Sequence, residues 1–192
     1  MSHKVHQIGF RLGINVDWSS RWFDLKNYSQ KLGQDIAIRA YLVKKLRGAG
    51  LEKVEIERTG NKVLVIVNSS RPGLIIGRGG SGTEDLNKNL EKILRKTGIG
   101  ARESLPQLRL EIREIRNPEA FASLVGLSIA EQLEKRMPFR RVLKRSIERI
   151  MMNKEIKGAK IIVSGRLGGA EMARRESIKE GVMPRSTLRS KI

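Results

Sequence analysis

The 192-residue chain contains no cysteine. Disulfides and thiolate metal sites are therefore excluded, and a reducing, cytoplasmic setting is favoured. No uninterrupted apolar run approaches the roughly 18 residues that a membrane-spanning helix needs. The opening Met-Ser-His-Lys-Val-His lacks the apolar core of a signal peptide, so we do not expect secretion.

Residues suited to catalysis or metal binding are also scarce. The two histidines, His3 and His6, have a spacing that would suit a metal on a helix, but Gly9 and Gly13 disfavour a stable helix there. No histidine lies among the basic clusters, and we find neither a nucleophile beside a plausible base nor a suggestive carboxylate pair. We therefore expect a protein that is not an enzyme and that uses no cofactor or metal.

Acidic and aromatic residues are few, and cations dominate. There are 39 Lys and Arg against 20 Asp and Glu, which gives a formal charge of +19. A protein this basic repels itself unless an anionic partner neutralises it, and nucleic acid is favoured over a membrane surface as that partner. Because aromatics make up only 4% of the chain, we interpret Trp18, Trp22 and Phe23 as packing residues rather than as platforms for bases.

The sequence is divided into three regions. Residues 1–27 show no clear hydrophobic period and are interpreted as a basic, extended N-terminal arm that docks through its tryptophans. Residues 28–114 are predicted to form one α+β domain and residues 115–192 a second. The boundary lies between Ile112 and Asn117, and so short a linker predicts two domains in a fairly fixed relation.

The first α+β domain begins with a helix, which Gly48 and Gly50 end. Its apolar stripe comprises Leu32, Ile36, Ala40, Val43 and Leu46. A hairpin over residues 51–69 follows, with its turn at Gly60-Asn61. After a glycine-rich loop, a second helix over residues 86–94 stops at Gly98, and alternation at 108, 110 and 112 gives a third strand. Three strands with helices on one face make a compact α+β domain.

The second α+β domain is predicted to hold two helices and an antiparallel sheet. Asn117-Pro118-Glu119 is typical of a helix start, and Pro138 restarts a second helix. Ile161 and Val163 indicate a strand, residues 171–180 suit another, and a last short strand is predicted near Thr187.

A glycine-rich loop is the most informative motif of the first domain. Gly77-Arg78-Gly79-Gly80 stands directly before a helical pattern. Glycines allow close backbone approach and leave N–H groups free for phosphates, while the arginine adds charge. This is the anatomy of a KH-type loop, which clamps the backbone of single-stranded nucleic acid.

Two other interpretations of this loop compete. Gly77, Gly79 and Gly82 satisfy the dinucleotide pattern G-x-G-x-x-G, but that motif must follow a strand directly. Here the strand is predicted to end near Val67, and no second strand with a ribose-binding acid is clear. A Walker loop is absent. The plainer alternative is a glycine-rich helix start with a solvated arginine.

A second cluster lies on the helix that follows Pro138. Helical spacing places four cations on one face, opposite Leu143, Ile147 and Ile150; the four are Arg140, Arg141, Lys144 and Arg145. Glu148 is the only nearby acid in sequence. A solvated polar face is the plain interpretation, but the charge of the whole chain favours phosphate binding without base recognition.

The third cluster is a second glycine-rich basic turn, Ser164-Gly165-Arg166-Leu167-Gly168-Gly169, followed by Arg174 and Arg175. It would let backbone approach a phosphate. A tight hairpin with surface arginines explains the same residues equally well.

Four separated motifs together carry a family resemblance. They are Lys4-Val5-His6 with Gly9, Arg11-Leu12-Gly13, Trp18 and Trp22-Phe23; Arg71-Pro72-Gly73 with Ile76-Gly77-Arg78-Gly79-Gly80; Phe139-Arg140-Arg141-Val142-Leu143-Lys144-Arg145; and Ser164-Gly165-Arg166-Leu167-Gly168-Gly169-Ala170-Glu171. In this order, over nearly the whole chain, they resemble the bacterial small-subunit ribosomal protein S three family.

The resemblance implies a type II KH domain followed by a C-terminal α+β domain, placed in the head of the small ribosomal subunit and bound to small-subunit rRNA. It implies ribosomal proteins S ten and S fourteen as neighbours in the head. At the tunnel through which mRNA enters, it implies S four and S five. The family's helical arginine-arginine-lysine set, which helps to unwind incoming mRNA, matches Arg140, Arg141 and Lys144.

The family's KH loop matches Gly77, Arg78, Gly79 and Gly80. Gly79 stands where a basic residue is common, so the loop carries one cation instead of two. We expect the rRNA contacts to be completed by Lys4 and Arg11 of the arm and by Arg166, Arg174 and Arg175. Two other classes are weighed against this ribosomal role: a KH regulator of mRNA that works off the ribosome, and a nucleotide-dependent enzyme, which the loop context disfavours.

Overall fold

The computed structural model describes residues 5–97 and 106–192 of the chain. It divides into two units: one is Trp18–Arg116, and the other combines the residues up to Asp17 with Asn117–Ile192. We call them the KH unit and the C-terminal unit. The predictions that concern His3, Lys4 and Gly98 lie outside the described residues.

The helices are α1 (Gln7–Phe10), α2 (Tyr28–Lys45), α3 (Pro72–Ile76), α4 (Ser81–Thr97), α5 (Ala122–Glu134) and α6 (Phe139–Met151). The strands are β1 (Ser20–Arg21), β2 (Leu51–Thr59), β3 (Lys62–Ser69), β4 (Gln107–Glu114), β5 (Gly158–Gly165) and β6 (Arg174–Gly181). Short 3-10 turns lie between several of these elements. The α+β class and the predicted order of helix, strand, strand, helix and strand are confirmed, and the structure adds the short helix α3 before α4.

The KH unit is built on a sheet in the order β1-β2-β3-β4. β2 and β3 form the predicted antiparallel hairpin, and β4 runs parallel to β3 in an unbroken register from Lys62↔Gln107 to Ser69↔Glu114. The prediction of three strands is incomplete because Ser20–Arg21 adds a fourth, parallel to β2.

The core of this unit lies between the sheet and the helices α2, α3 and α4. Alternate residues of β3 point into it because successive side chains of a strand face opposite sides. The buried cluster includes Ile38, Leu42, Val54, Ile56, Val63, Val65, Val67, Ile75, Leu86, Leu90 and Leu94. This packing fixes the positions of α3 and α4, and with them the glycine-rich loop between these helices.

Helix α2 forms where its apolar stripe predicts, but most of that stripe faces away from the core. Ile36 is 59% exposed and Val43 is 58% exposed, whereas Ile38 and Leu42 are fully buried. The buried face also includes Asp35, whose carboxylate accepts hydrogen bonds from Trp22 Nε1 at 2.8 Å and from Ser20 Oγ at 3.0 Å. Arg58 Nη2 lies 2.6 Å from the same carboxylate. The buried acid and its partners lie on the same face as Ile38 and Leu42, so these contacts together set the rotation of the helix.

The C-terminal unit packs α6 against α5 and against the antiparallel pair β5–β6. Its core residues on α6 are Val142, Leu143, Ile147 and Ile150. The predicted helix start at Asn117 is displaced, because Pro118–Ala120 form a 3-10 turn and α5 begins at Ala122.

Both ends of the C-terminal unit depart from the prediction. Gln7–Phe10 form a helical turn instead of an extended arm, and the His6 side chain accepts the Gly9 N–H at its start. The strand predicted near Thr187 is wrong: the chain turns there, and main-chain carbonyls that a strand partner would use accept from other groups.

Candidate nucleic-acid interface

The KH loop, Gly77-Arg78-Gly79-Gly80, connects α3 to α4 on the surface of the KH unit. Gly77, Gly79 and Gly80 have φ values of 70°, 60° and 84°, a region that side chains other than glycine rarely adopt. Arg78 is exposed at the centre of the loop. The hydroxyls of Ser81 and Thr83 donate to the carbonyls of Arg78 and Gly80, so the loop is held from the α4 side. A fixed loop with exposed backbone and one cation suits a phosphodiester chain.

A fourth glycine, Gly82, brings α3 and α4 together beneath the loop. A Cβ atom at Gly82 would overlap the carbonyl oxygen of Ile75, and a Cβ at Gly77 would lie 3.2 Å from the Gly82 nitrogen. Only a glycine fits this close approach of two backbones. The dinucleotide pattern that includes Gly82 in the sequence thus has a packing explanation, and the preceding segment is a helix rather than a strand.

The cationic face of α6 is the main feature of the C-terminal unit. Arg140, Arg141, Lys144 and Arg145 are all exposed, and Val142, Leu143 and Ile147 are buried on the other side of the same helix. The first turn of α6 contains no acidic residue. These four cations form a compact surface, which we call the α6 face. The buried apolar side of the same helix fixes its position.

Strand β6 adds to the α6 face through a cluster that local spacing did not predict. Glu176 Oε1 lies 3.6 Å from Arg140 Nη2 and 3.9 Å from Arg174 Nε. The guanidinium carbons of Arg140 and Arg174 lie 5.7 and 5.4 Å from the centre of the Phe139 ring. An aromatic ring and a carboxylate therefore hold two arginines of different elements together.

Glu176 corrects the view that Glu148 is the only nearby acid. It is remote from Arg140 in sequence, and only the packing of α6 on β6 brings the two together. One sequence signal does point to it: Arg174 and Glu176 alternate on a strand and so share one face of the sheet.

The second glycine-rich turn joins β5 to β6. Gly165, Gly168 and Gly169 have positive φ values of 139°, 71° and 81°. The Arg166 side chain donates from Nε to the Ala170 carbonyl at 2.9 Å, which closes the turn, and Arg175 stands exposed at the start of β6. The predicted residues Arg166, Arg174 and Arg175 therefore lie in one segment beside α6.

Arg11 is placed differently from the other predicted contacts. It is fully buried in the C-terminal unit. Its guanidinium makes five hydrogen bonds, to the Gln7 carbonyl and amide oxygens and to the carbonyls of Arg185, Thr187 and Ser190. These bonds use all five N–H donors of an arginine, so the structure engages Arg11 within the fold.

The outer face of the KH sheet has mixed charge. Arg21 Nη2 lies 2.8 Å from Glu55 and 2.6 Å from Glu57, and Lys53 Nζ lies 3.2 Å from Glu55. Burial raises the pKa of the nearby Glu52 carboxyl above its usual value. Carboxylates paired in this way do not offer a surface for phosphates, so the KH loop is the candidate contact of this unit.

The surface features above are the candidates that the structure offers for binding. Within residues 5–97 and 106–192, no group of three or more His, Asp or Glu side chains is placed to hold a metal ion. None of the helices in the same ranges is both long and apolar enough to cross a membrane.

Two helices joined by a glycine-rich loop and packed on a mixed sheet define a KH-type fold, so the structure assigns this unit to the KH class. A scan of family models agrees: residues 37–120 match the KH domain, and residues 129–192 match "Ribosomal protein S3, C-terminal domain".

Relatives extend the comparison to the whole chain. A protein from Myxococcus xanthus named "Small ribosomal subunit protein uS3" is 46% identical over 192 residues, which cover 100% of this chain and 82% of the relative. Proteins of the same name from Syntrophomonas wolfei and Caldicellulosiruptor saccharolyticus are 44% and 46% identical, and the alignments cover 100% of this chain and 80% and 82% of theirs. The chain belongs to the uS3 family of small ribosomal subunit proteins, as its motifs predict.

Proposed function

We propose that this protein is a non-enzymatic constituent of the small ribosomal subunit in the cytoplasm. In the head of the subunit it binds rRNA beside ribosomal proteins S ten and S fourteen, and it contacts mRNA where the message enters, together with S four and S five. Family membership supports the ribosomal role. The single observation that carries the mRNA role is the exposed four-cation face of α6.

The KH loop and the β5–β6 turn are assigned to rRNA. Both segments combine glycines of positive φ with an exposed arginine, which lets backbone and charge approach a phosphate together. Such contacts position the protein without recognising base sequence. Arg78, Arg166 and Arg175 supply the charge, whereas Arg11 is assigned to the fold because its donors are engaged internally.

The α6 face is assigned to mRNA. Arg140, Arg141, Lys144 and Arg145 have like charges at helical spacing, which destabilises a helix unless a polyanion lies against it. Glu176 pairs with Arg140 and Arg174 at exposed or half-exposed positions, where an ion pair contributes only about 0–1 kcal/mol. Phosphates can therefore replace that pairing. Where an mRNA duplex enters, these cations would bind the phosphates of its strands. Such binding would favour separation of the strands during translocation.

The first experiment removes the α6 face. A variant with Arg140→Ala, Arg141→Ala and Lys144→Ala is expected to assemble into small subunits and to slow the translation of structured mRNA, with little effect on unstructured mRNA. The matched control replaces three exposed lysines of the same unit, Lys154, Lys157 and Lys179, by alanine. Equal translation of both messages by the triple variant would contradict the mRNA role.

The second experiment tests the ribosomal assignment itself. The protein is expected to sediment with small subunits after a high-salt wash. A KH regulator of mRNA that works off the ribosome would instead remain at the top of the gradient, and that result would overturn the proposal.

A further inference from the structure

Arg136 has an unusual backbone for its residue type. It follows α5, which ends at Glu134, and its φ is 57°. Among residues 5–97 and 106–192 it is the only residue other than glycine with a positive φ. The Arg136 N–H donates to the Leu133 carbonyl at 2.9 Å, and the Met137 N–H donates to the Gln132 carbonyl at 3.2 Å. This pair of bonds is a Schellman cap, in which the left-handed position is usually glycine.

The cap gives no structural reason for an arginine. Both capping bonds are made by main-chain atoms, which every residue except proline supplies. The Arg136 side chain is exposed, so packing against the core does not compensate for the strained backbone. Strained residues other than glycine concentrate at functional sites, where the surrounding fold holds them.

The charge around Arg136 indicates what that function is. Exposed Lys135 precedes it, and after the connection to α6 the exposed side chains of Arg140 and Arg141 follow in the first turn of that helix. The cations of the α6 face therefore continue without an intervening acid into the corner between α5 and α6. Such continuity is typical of a surface that follows a polyphosphate backbone.

We propose that Arg136 is a phosphate-binding residue that extends the α6 face onto the α5–α6 corner. Its left-handed backbone directs a cation toward RNA at a position where glycine would make the protein more stable. This inference rests on the proposed function and adds to it a residue whose contribution to binding opposes its contribution to stability.

Because Arg136 is expected to strengthen RNA binding but to lower stability, one substitution in the whole chain tests both effects. Arg136→Gly is expected to raise the Tm by about 2–4 °C, because glycine relieves the strain. The same change should weaken binding to an RNA hairpin with a single-stranded tail. The slope of log affinity against log salt should fall in magnitude by about 0.7–0.9, as for one lost phosphate contact.

Two control variants separate charge from backbone. Arg136→Lys keeps both the cation and the strain, so the Tm and the salt slope should stay close to wild type. Lys154→Gln removes an exposed cation beyond the far end of α6 and should change neither quantity.

Three outcomes would overturn the inference. A higher Tm with an unchanged salt slope would make Arg136 a strained cap without a role in binding. A lower Tm would make the arginine structural. If the salt slope falls equally in Lys154→Gln, the change in RNA binding comes from the net charge and not from the position of Arg136. If the salt slope falls in the triple α6 variant but not in Arg136→Gly, only this inference fails; if neither slope falls, RNA contact by the α6 face fails as well.

Discussion

At the scale of single residues, Arg11 shows how a cation can serve the fold rather than a partner. Its guanidinium ties α1 to the segment at 185–190 through the carbonyls of Arg185, Thr187 and Ser190. Asn15 adds a bond to the Leu188 carbonyl at 3.0 Å. The C-terminal segment has no strand partner there, so these side chains supply the donors that a sheet would otherwise provide.

We predict that Arg11→Lys destabilises the C-terminal unit by roughly 2–4 kcal/mol, because three lysine donors cannot replace the five N–H groups of an arginine and buried carbonyls stay unsatisfied. Hydrogen exchange of the amides at 185–190 should accelerate. Arg185→Lys is the matched control, since only the main chain of Arg185 is used. Unchanged hydrogen exchange together with weaker RNA binding would instead indicate that Arg11 contacts RNA.

Arg11 also shows that composition alone does not identify which cations of a basic protein bind RNA. In a chain of +19, every arginine is a reasonable phosphate ligand. Arg11 and its acceptor Ser190 are 179 positions apart, and Glu176 is equally invisible from the sequence around Arg140. Pairings between distant residues depend on the folded backbone, which hydrophobic periodicity does not specify.

At the scale of elements, alternation and periodicity predict the regular parts well. The hairpin of β2 and β3, the strand β4 and the helix α6 all form as expected. Helix α3 is missed because its five residues are too few to show a helical period. The face of α2 is missed because the row of Asp35, Ile38 and Leu42 faces the core, while four members of the predicted stripe are exposed.

The α3–loop–α4 element gives a prediction with a close control. Gly82→Ala should destabilise the KH unit by about 1–3 kcal/mol, because the new methyl group overlaps the Ile75 carbonyl and forces α3 away from α4. RNA affinity of the KH loop should fall with it. The control Gly73→Ala lies in α3, on the other side of the loop, where a Cβ meets nothing within 4 Å. That control should be neutral or stabilise by up to about 1 kcal/mol.

The urea unfolding midpoints and the RNA affinities of the two variants are the measurements that test this prediction. Equal stability of Gly82→Ala and Gly73→Ala would mean that the backbones separate without cost. The close approach of α3 and α4 would then not be what holds the loop.

At the scale of the whole molecule, the excess of cations opposes the folded state. Exposed cations lie at the KH loop, the α6 face and the β5–β6 turn, and others, such as Lys154 and Lys157, lie outside these surfaces. On the outer face of the KH sheet, ion pairs join Arg21 and Lys53 to carboxylates. The formal charge of +19 exceeds what the carboxylates of the chain can balance. A chain with this net charge is destabilised by self-repulsion until a polyanion binds to it.

This self-repulsion predicts how the free protein responds to salt. Raising the ionic strength from about 0.01 M to about 0.15 M shortens the Debye length from about 30 Å to about 8 Å. Repulsion among like charges then weakens, while the exposed ion pairs lose little because each contributes only about 0–1 kcal/mol. The Tm should rise by at least about 2 °C. The triple α6 variant, with three fewer positive charges, should show a smaller rise in calorimetry. A Tm that falls with salt, or an equal rise in both proteins, would show that repulsion on the RNA surfaces does not limit the stability of the free chain.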